Sequence, residues 1–148
     1  MRNILVILLF SVVTLFATGV KWENDYHSAL EKAKKQNKPV LFISSRHTCK
    51  YCVVLDETTL RDARVVEGLN KDFISVVSYS DERDYMPREL WRPGTPAIWF
   101  LLPSGEPMFE PVMGAIDANN FLKALDIVKK EFKTRQKKDN NDFYKLNK

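Results

Sequence analysis

The chain has 148 residues, 45% of them apolar and 28% charged, with 5 Gly and 7 Pro. That suits one globular domain and excludes collagen-like, low-complexity and largely disordered classes. The formal net charge is +4, from 23 basic and 19 acidic residues, and the only cysteines are Cys49 and Cys52. Two cysteines are too few for a disulfide scaffold or a four-thiolate zinc site, but enough for one redox pair.

In chain order, the first feature is a leader. Arg2 is the only charge before Lys21, the run from Ile4 to Ala17 is broken only by Ser11 and Thr14, and Ala17-Thr18-Gly19 supplies small residues. A basic start, a short apolar run and a small-x-small site are the three parts of a secretory signal. Residues 1–19 are therefore expected to be a signal peptide cut after Gly19, and the protein to be periplasmic or secreted. The run is shorter than the roughly 20 residues of a membrane span. An uncleaved anchor is the alternative. Export would carry the thiols into an oxidising compartment.

Residues 20–134 read as one domain. Trp22, Tyr26, Ala29, Leu30 and Ala33 share a helical face, which Asn37-Lys38-Pro39 ends. Val40 to Ser44 has the length of a buried strand. A helix is expected from Cys49 to about Glu57, and a second one capped by Asp62 and carrying Val65, Val66 and Leu69. Phe73 to Val77 predicts another strand, and Ser78 to Pro93 a polar loop with a helical turn near Pro87. Ala97–Leu102 and Met108–Met113 flank the turn signal Pro103-Ser104-Gly105-Glu106 and predict a hairpin. Asp117 is a good cap for a last helix whose stripe is Phe121, Leu125, Val128 and Phe132. Residues 135–148 read as a basic, flexible tail that would be solvated or would touch an anionic membrane or an acidic partner. Helix–strand alternation followed by a hairpin predicts an α/β sandwich with a mixed sheet. Trp91 and Trp99 read as core or rim.

The chemistry is concentrated in His47-Thr48-Cys49-Lys50-Tyr51-Cys52. Cys49 at a helix start would meet unpaired N–H groups and the positive end of the dipole, which lower a thiol pKa. The thiolate is the nucleophile of disulfide exchange, and a shielded Cys52 suits a resolving role. A c-type haem site needs His after the second Cys, and Val53 stands there. A metal site would have to add His27 and His47 to the pair, and His47 is too close to Cys49 for regular zinc spacing. A structural disulfide remains the bland alternative, although so short a loop makes a weak staple.

Several segments together resemble the thioredoxin-like superfamily. They are Trp22 with Ala29 and Ala33, Lys38-Pro39-Val40-Leu41-Phe42, Cys49-Lys50-Tyr51-Cys52, Thr59-Leu60, Leu69-Asn70, Phe73, and Gly94-Thr95-Pro96 before a strand. The chain is most similar to exported members related to sulfur-oxidation thioredoxins and disulfide interchange proteins. The resemblance implies a thioredoxin fold: a three-layer α/β/α sandwich around a mixed sheet of four to five strands. It implies that Cys49 is the nucleophile, Cys52 the resolving thiol and Pro96 a cis-proline, and that the backbone of Thr95 pairs with substrate like an added strand. Two departures from thioredoxin stand out. Lys50-Tyr51 replaces Gly-Pro, and Ile43 stands where thioredoxin buries an Asp, which leaves the proton acceptor of Cys52 open. Asp56 and Glu57 are candidates for it. Lys50, Tyr51 and His47 are expected to tune the thiolate.

The expected function is a thiol–disulfide oxidoreductase reducing protein disulfides, monomeric, served by a membrane electron donor of the disulfide-interchange type. No cofactor beyond the Cys49–Cys52 pair, no metal and no nucleic acid are expected. The alternatives are a non-enzymatic adaptor, a copper or other metal chaperone, or a disulfide-forming oxidase.

Overall fold

The computed structural model describes residues 19–146, so the predicted signal peptide lies outside the described residues except for Gly19. The elements are α1 (Tyr26–Gln36), β1 (Val40–Ser45), α2 (Lys50–Glu57), α3 (Ala63–Asp72), β2 (Ile74–Tyr79), β3 (Ala97–Leu101), β4 (Val112–Met113) and α4 (Ala118–Leu146). One-turn 3₁₀ helices lie at Thr59–Arg61 and Arg88–Leu90. The sheet order is β2-β1-β3-β4, with β1 parallel to β2 and antiparallel to β3.

Alternation along the strands sorts the core into two layers. Val40 and Phe42 of β1 face one side with Ile74, Val76, Ala97, Trp99 and Leu101, and there α1 covers them with Tyr26, Ala29 and Ala33. Leu41, Ile43, Ile98 and Phe100 face the other, under Leu55 of α2, Val65 and Leu69 of α3, and Phe121, Leu125, Val128 and Phe132 of α4. Burial on both faces explains why β1 is apolar without interruption from Val40 to Ile43. This is the predicted three-layer sandwich, with four strands.

The structure changes three expectations. Trp22 is not on the first helix. The Asp25 side chain accepts N–H bonds from His27 and Ser28 and starts α1 at Tyr26. Trp22 instead bridges Ser75 of β2 and packs on the opposite side of the sheet from Tyr26. The second hairpin strand is broken. Leu101 pairs with Pro107, and pairing resumes only at Ile98–Val112, two residues out of register. Pro107 and Pro111 lack a ladder donor, so the chain bulges at Phe109 and Glu110, both exposed. Finally, the last helix does not stop at Thr134, where the domain is expected to end. No Pro or Gly interrupts the sequence after Ala118, and α4 runs on to Leu146 through the segment read as a tail.

Candidate active site

β1 delivers the chain to the site. After Ser45 a turn closes with the Cys49 N–H donating to the Arg46 carbonyl at 3.2 Å, and α2 begins at the next residue. Cys49 is the N-cap, with extended backbone, and the Cys52 N–H donates to its Sγ at 3.4 Å. Sulfur here takes the place that a Ser or Asp oxygen takes at most N-caps. Cys49 is half-buried, Cys52 is buried at 4% exposure, and both are free thiols.

The second wall of the site is the segment before β3. Gly94 adopts φ +108°, a left-handed backbone that suits glycine, and the Thr95–Pro96 bond is cis. The Cys49 thiol donates to the Thr95 carbonyl at 3.3 Å. Residues 46 apart are thus in contact, and Pro96 is tied to the sheet edge by the Gly114 N–H at 2.9 Å.

Burial pushes the Cys49 thiol up. Hydrogen bonds from the side chains of Cys52 and Thr95 and from the N–H groups of Cys52 and Tyr51 outweigh it, so its pKa lies below the ordinary thiol value. A lowered pKa enlarges the thiolate fraction, the form that attacks a disulfide. The side chains of Cys52 and Thr95 lead this lowering, and the N–H groups of the cap follow. Tyr51 acts through its backbone N–H, while its ring is 62% exposed. Among the described residues, neither Lys50 nor the His47 ring hydrogen-bonds the Cys49 sulfur. His47 is engaged elsewhere: Nε2 lies 2.7 Å from Glu82 Oε1, the ring stacks on Tyr79 at 4.0 Å, and its N–H donates to Asp81 at 2.8 Å.

Ile43 is packed in the core at 2% exposure, so that position offers Cys52 no proton acceptor. Asp56 and Glu57 are exposed on α2. Tyr79 was not singled out by the sequence. Burial first, then the charges of Asp56, Glu82, the Cys52 sulfur and Asp81, push its hydroxyl pKa up. That places a protonated phenol in the electrostatic field of Cys52. Among the described residues no three His, Cys, Asp or Glu side chains are grouped to hold a metal ion.

Beside Thr95 a cleft of about 320 Å³ opens between the ends of β1 and β2 and the following loop. Ser44, Arg46, Ser78, Met86, Trp91 and Arg92 line it. Trp91 is 61% exposed, on the rim, whereas Trp99 is buried with the Arg92 guanidinium 4.6 Å above its ring. No sequence signal marks this cleft, because its walls come from three separate segments.

The contact between a C-x-x-C helix start and a cis-proline turn agrees with the match of residues 21–103 to the family model described as Thioredoxin-like. The chain belongs to the thioredoxin-like family. Over 64 residues, 43% of its length, this thioredoxin-like chain is 33% identical to Spermatogenesis-associated protein 20 of Rattus norvegicus, and the match spans 8% of that protein. It is 27% identical over 77 residues to Anterior gradient protein 3 of Mus musculus, 47% of each chain. The chain thus spans under half of either relative. Among solved structures it superposes on a thioredoxin from Thermus thermophilus with TM-score 0.63 and 25% identity, covering 74% of this chain and 87% of that one. DsbH oxidoreductase gives 0.61 and 18%, covering 84% and 92%. The C-terminal domain of Neisseria meningitidis DsbD in the oxidised form gives 0.54 and 20%, covering 68% and 90%. These last two likenesses concern the fold, which is the thioredoxin fold.

Proposed function

We propose that the protein is a thiol–disulfide oxidoreductase that reduces protein disulfides with Cys49 as nucleophile and Cys52 as resolving thiol. The observation that carries this reading is the half-buried Cys49 sulfur at the N-cap of α2, bonded by the Cys52 N–H and touching Thr95. The Cys49 thiolate attacks one sulfur of a substrate disulfide. A mixed disulfide forms, and the other substrate sulfur leaves as a thiolate and takes a proton. Cys52, deprotonated, then attacks Cys49 Sγ and releases the second substrate thiol. The substrate gains two electrons and two protons, and Cys49–Cys52 becomes a disulfide. An extended substrate segment would lie along Thr95 as an added strand.

The likeness to thioredoxin supports the reductase direction. The leader read from the sequence supports a periplasmic or secreted site of action, with a dithiol donor at the membrane re-reducing the pair. The test is insulin reduction with dithiothreitol as electron source. Turnover is expected from the wild type and none from Cys49→Ser, and no turnover by the wild type overturns the reading. A reduction potential near about −270 mV supports a reductase, and one near about −120 mV an oxidase. N-terminal sequencing of exported protein should begin at Val20.

A further inference from the structure

The α1 side of the sheet changes character at its redox end. Alternation puts Val40, Phe42 and Ser44 of β1 on that side, with Ile74, Val76 and Ser78 of β2 beside them. Ser44 pairs with Ser78, so both strands turn from apolar to hydroxyl at the same level. Neither serine is solvated surface: Ser44 is 9% exposed and Ser78 2%. Both line the cleft of about 320 Å³ beside Thr95. Hydroxyls buried here add nothing to the hydrophobic core, and they suit a polar occupant. Arg46, one residue past β1, lines the same cleft. Among the described residues no carboxylate lies within ion-pair distance of it. Arg92 is the second cation, held by the Glu89 and Trp91 carbonyls at 3.2 and 2.9 Å and by Glu110 at 3.3 Å. Among the described residues Asp84 is the one acidic side chain lining the cleft, and its Oδ2 already accepts the Tyr79 N–H at 2.9 Å.

Two of the lining residues also hold the nucleophile. The Arg46 carbonyl accepts the Cys49 N–H at 3.2 Å, and the Thr95 carbonyl accepts a bond from the Cys49 thiol at 3.3 Å. A peptide joined to Cys49 Sγ and laid along Thr95 therefore has this cleft beside it, within a residue or two at roughly 3.3 Å per extended residue. The occupant is thus the substrate chain itself. We propose that the cleft is a specificity pocket for an acidic side chain within two residues of the substrate cysteine, and that Arg46 selects it. The inference rests on the reductase reading and narrows its substrate class to disulfides flanked by Asp or Glu. A carboxylate in the cleft meets the Arg46 guanidinium and the Ser44 hydroxyl, donors that match its lone pairs. Met86 and Trp91 supply an apolar wall for its stem. A Lys in the same place meets two guanidinium groups.

The test is single-turnover reduction of three peptides activated as 2-pyridyl disulfides, with Glu, Gln or Lys on both sides of a single cysteine. The pre-reduced protein is the only reductant, and release of 2-thiopyridone reports the rate. Each rate constant is referred to that of the same peptide with dithiothreitol, which cancels intrinsic reactivity. It is then referred to the Gln peptide, which cancels any effect of a variant on the thiol itself. The wild type should reduce the Glu peptide about threefold to fivefold faster than the Gln peptide and the Lys peptide more slowly, with the spread narrowing as salt is raised. Arg46→Gln should remove most of that spread, and Arg46→Glu should reverse its order. Equal rates for the three peptides with the wild type overturn the proposal and leave the reductase reading standing. So does a spread that survives in Arg46→Gln. A preference for the Lys peptide overturns it as well, because Asp84 would then set the specificity. No reaction with any of the three overturns the reductase reading and the proposal with it.

Discussion

Cys49 does two jobs with one sulfur. It caps α2, and the bonds that make it a cap also favour its thiolate. The lowered pKa is thus expected to persist without a lysine at the sulfur, and alkylation of the reduced chain should show it. The rate of Cys49 modification by iodoacetamide should reach its midpoint at a pH below the 9.0 of an ordinary thiol, and Lys50→Ala should move that midpoint little. The same shift bears on stability. A thiol whose pKa falls on folding adds stability that is complete above the ordinary value and disappears as pH falls through the folded value. The reduced wild type should therefore gain unfolding midpoint relative to Cys49→Ser as pH is raised across that window. The division of labour between the sulfurs has its own test. Cys52→Ser should accumulate mixed disulfides with protein substrates and Cys49→Ser should not. Equal trapping by both contradicts the assigned roles.

Among the elements, the turn between β3 and β4 is the most tightly specified. Gly105 has φ +93°, and a Cβ there would sit 2.7 Å from the Tyr26 hydroxyl and 3.1 Å from Leu30 Cδ1. The turn thus packs on α1. Gly105→Ala should cost about 1–3 kcal/mol from backbone strain alone. Tyr26→Phe in that background should relieve the hydroxyl contact but not the strain, which denaturant titration of the wild type, the two single variants and the double variant would resolve. The turn was legible because Pro103-Ser104-Gly105 is strong local chemistry. The break in the following strand was not. Its apolar pattern hid the missing donors of Pro107 and Pro111, and the two-residue slip is set by pairing with β3. Trp22 departs from its helical expectation for a similar reason. It keeps the helical period, but the cap at Asp25 and the bridge to Ser75 place it elsewhere.

For the whole molecule, α4 is the strap that ties the β3–β4 connection to the end of α1. Beyond its buried stripe, Arg135 donates to the Met108 carbonyl at 3.0 Å and Gln136 to the Asn37 side chain at 2.6 Å. Arg135 and Gln136, at the start of the expected tail, thus contact both the hairpin and the end of α1. Truncation after Thr134 should lower stability by about 1–3 kcal/mol, the cost of leaving those partners unpaired. Truncation after Asp139 should stay within about 0.5 kcal/mol of the full chain. Chemical denaturation of the two truncations, with the redox pair kept reduced, measures the difference.

Local rules were enough for much of this protein. The apolar runs of β1, β2 and β3, the caps at Asp62 and Asp117 and the C-x-x-C at a helix start are all short-range signals, and their types and order follow from periodicity and side-chain chemistry, whereas Thr95-Pro96 is legible only through the family resemblance. What those residues touch was decided by tertiary structure. The 3.3 Å contact between Cys49 and Thr95, the engagement of His47 by Glu82 and Tyr79 and the cleft beside Trp91 all join segments far apart in the chain. Spacing along a sequence constrains neighbours within a turn or two of helix. Which distant side chain fills the next position depends on how the sheet pairs and on which face each helix covers.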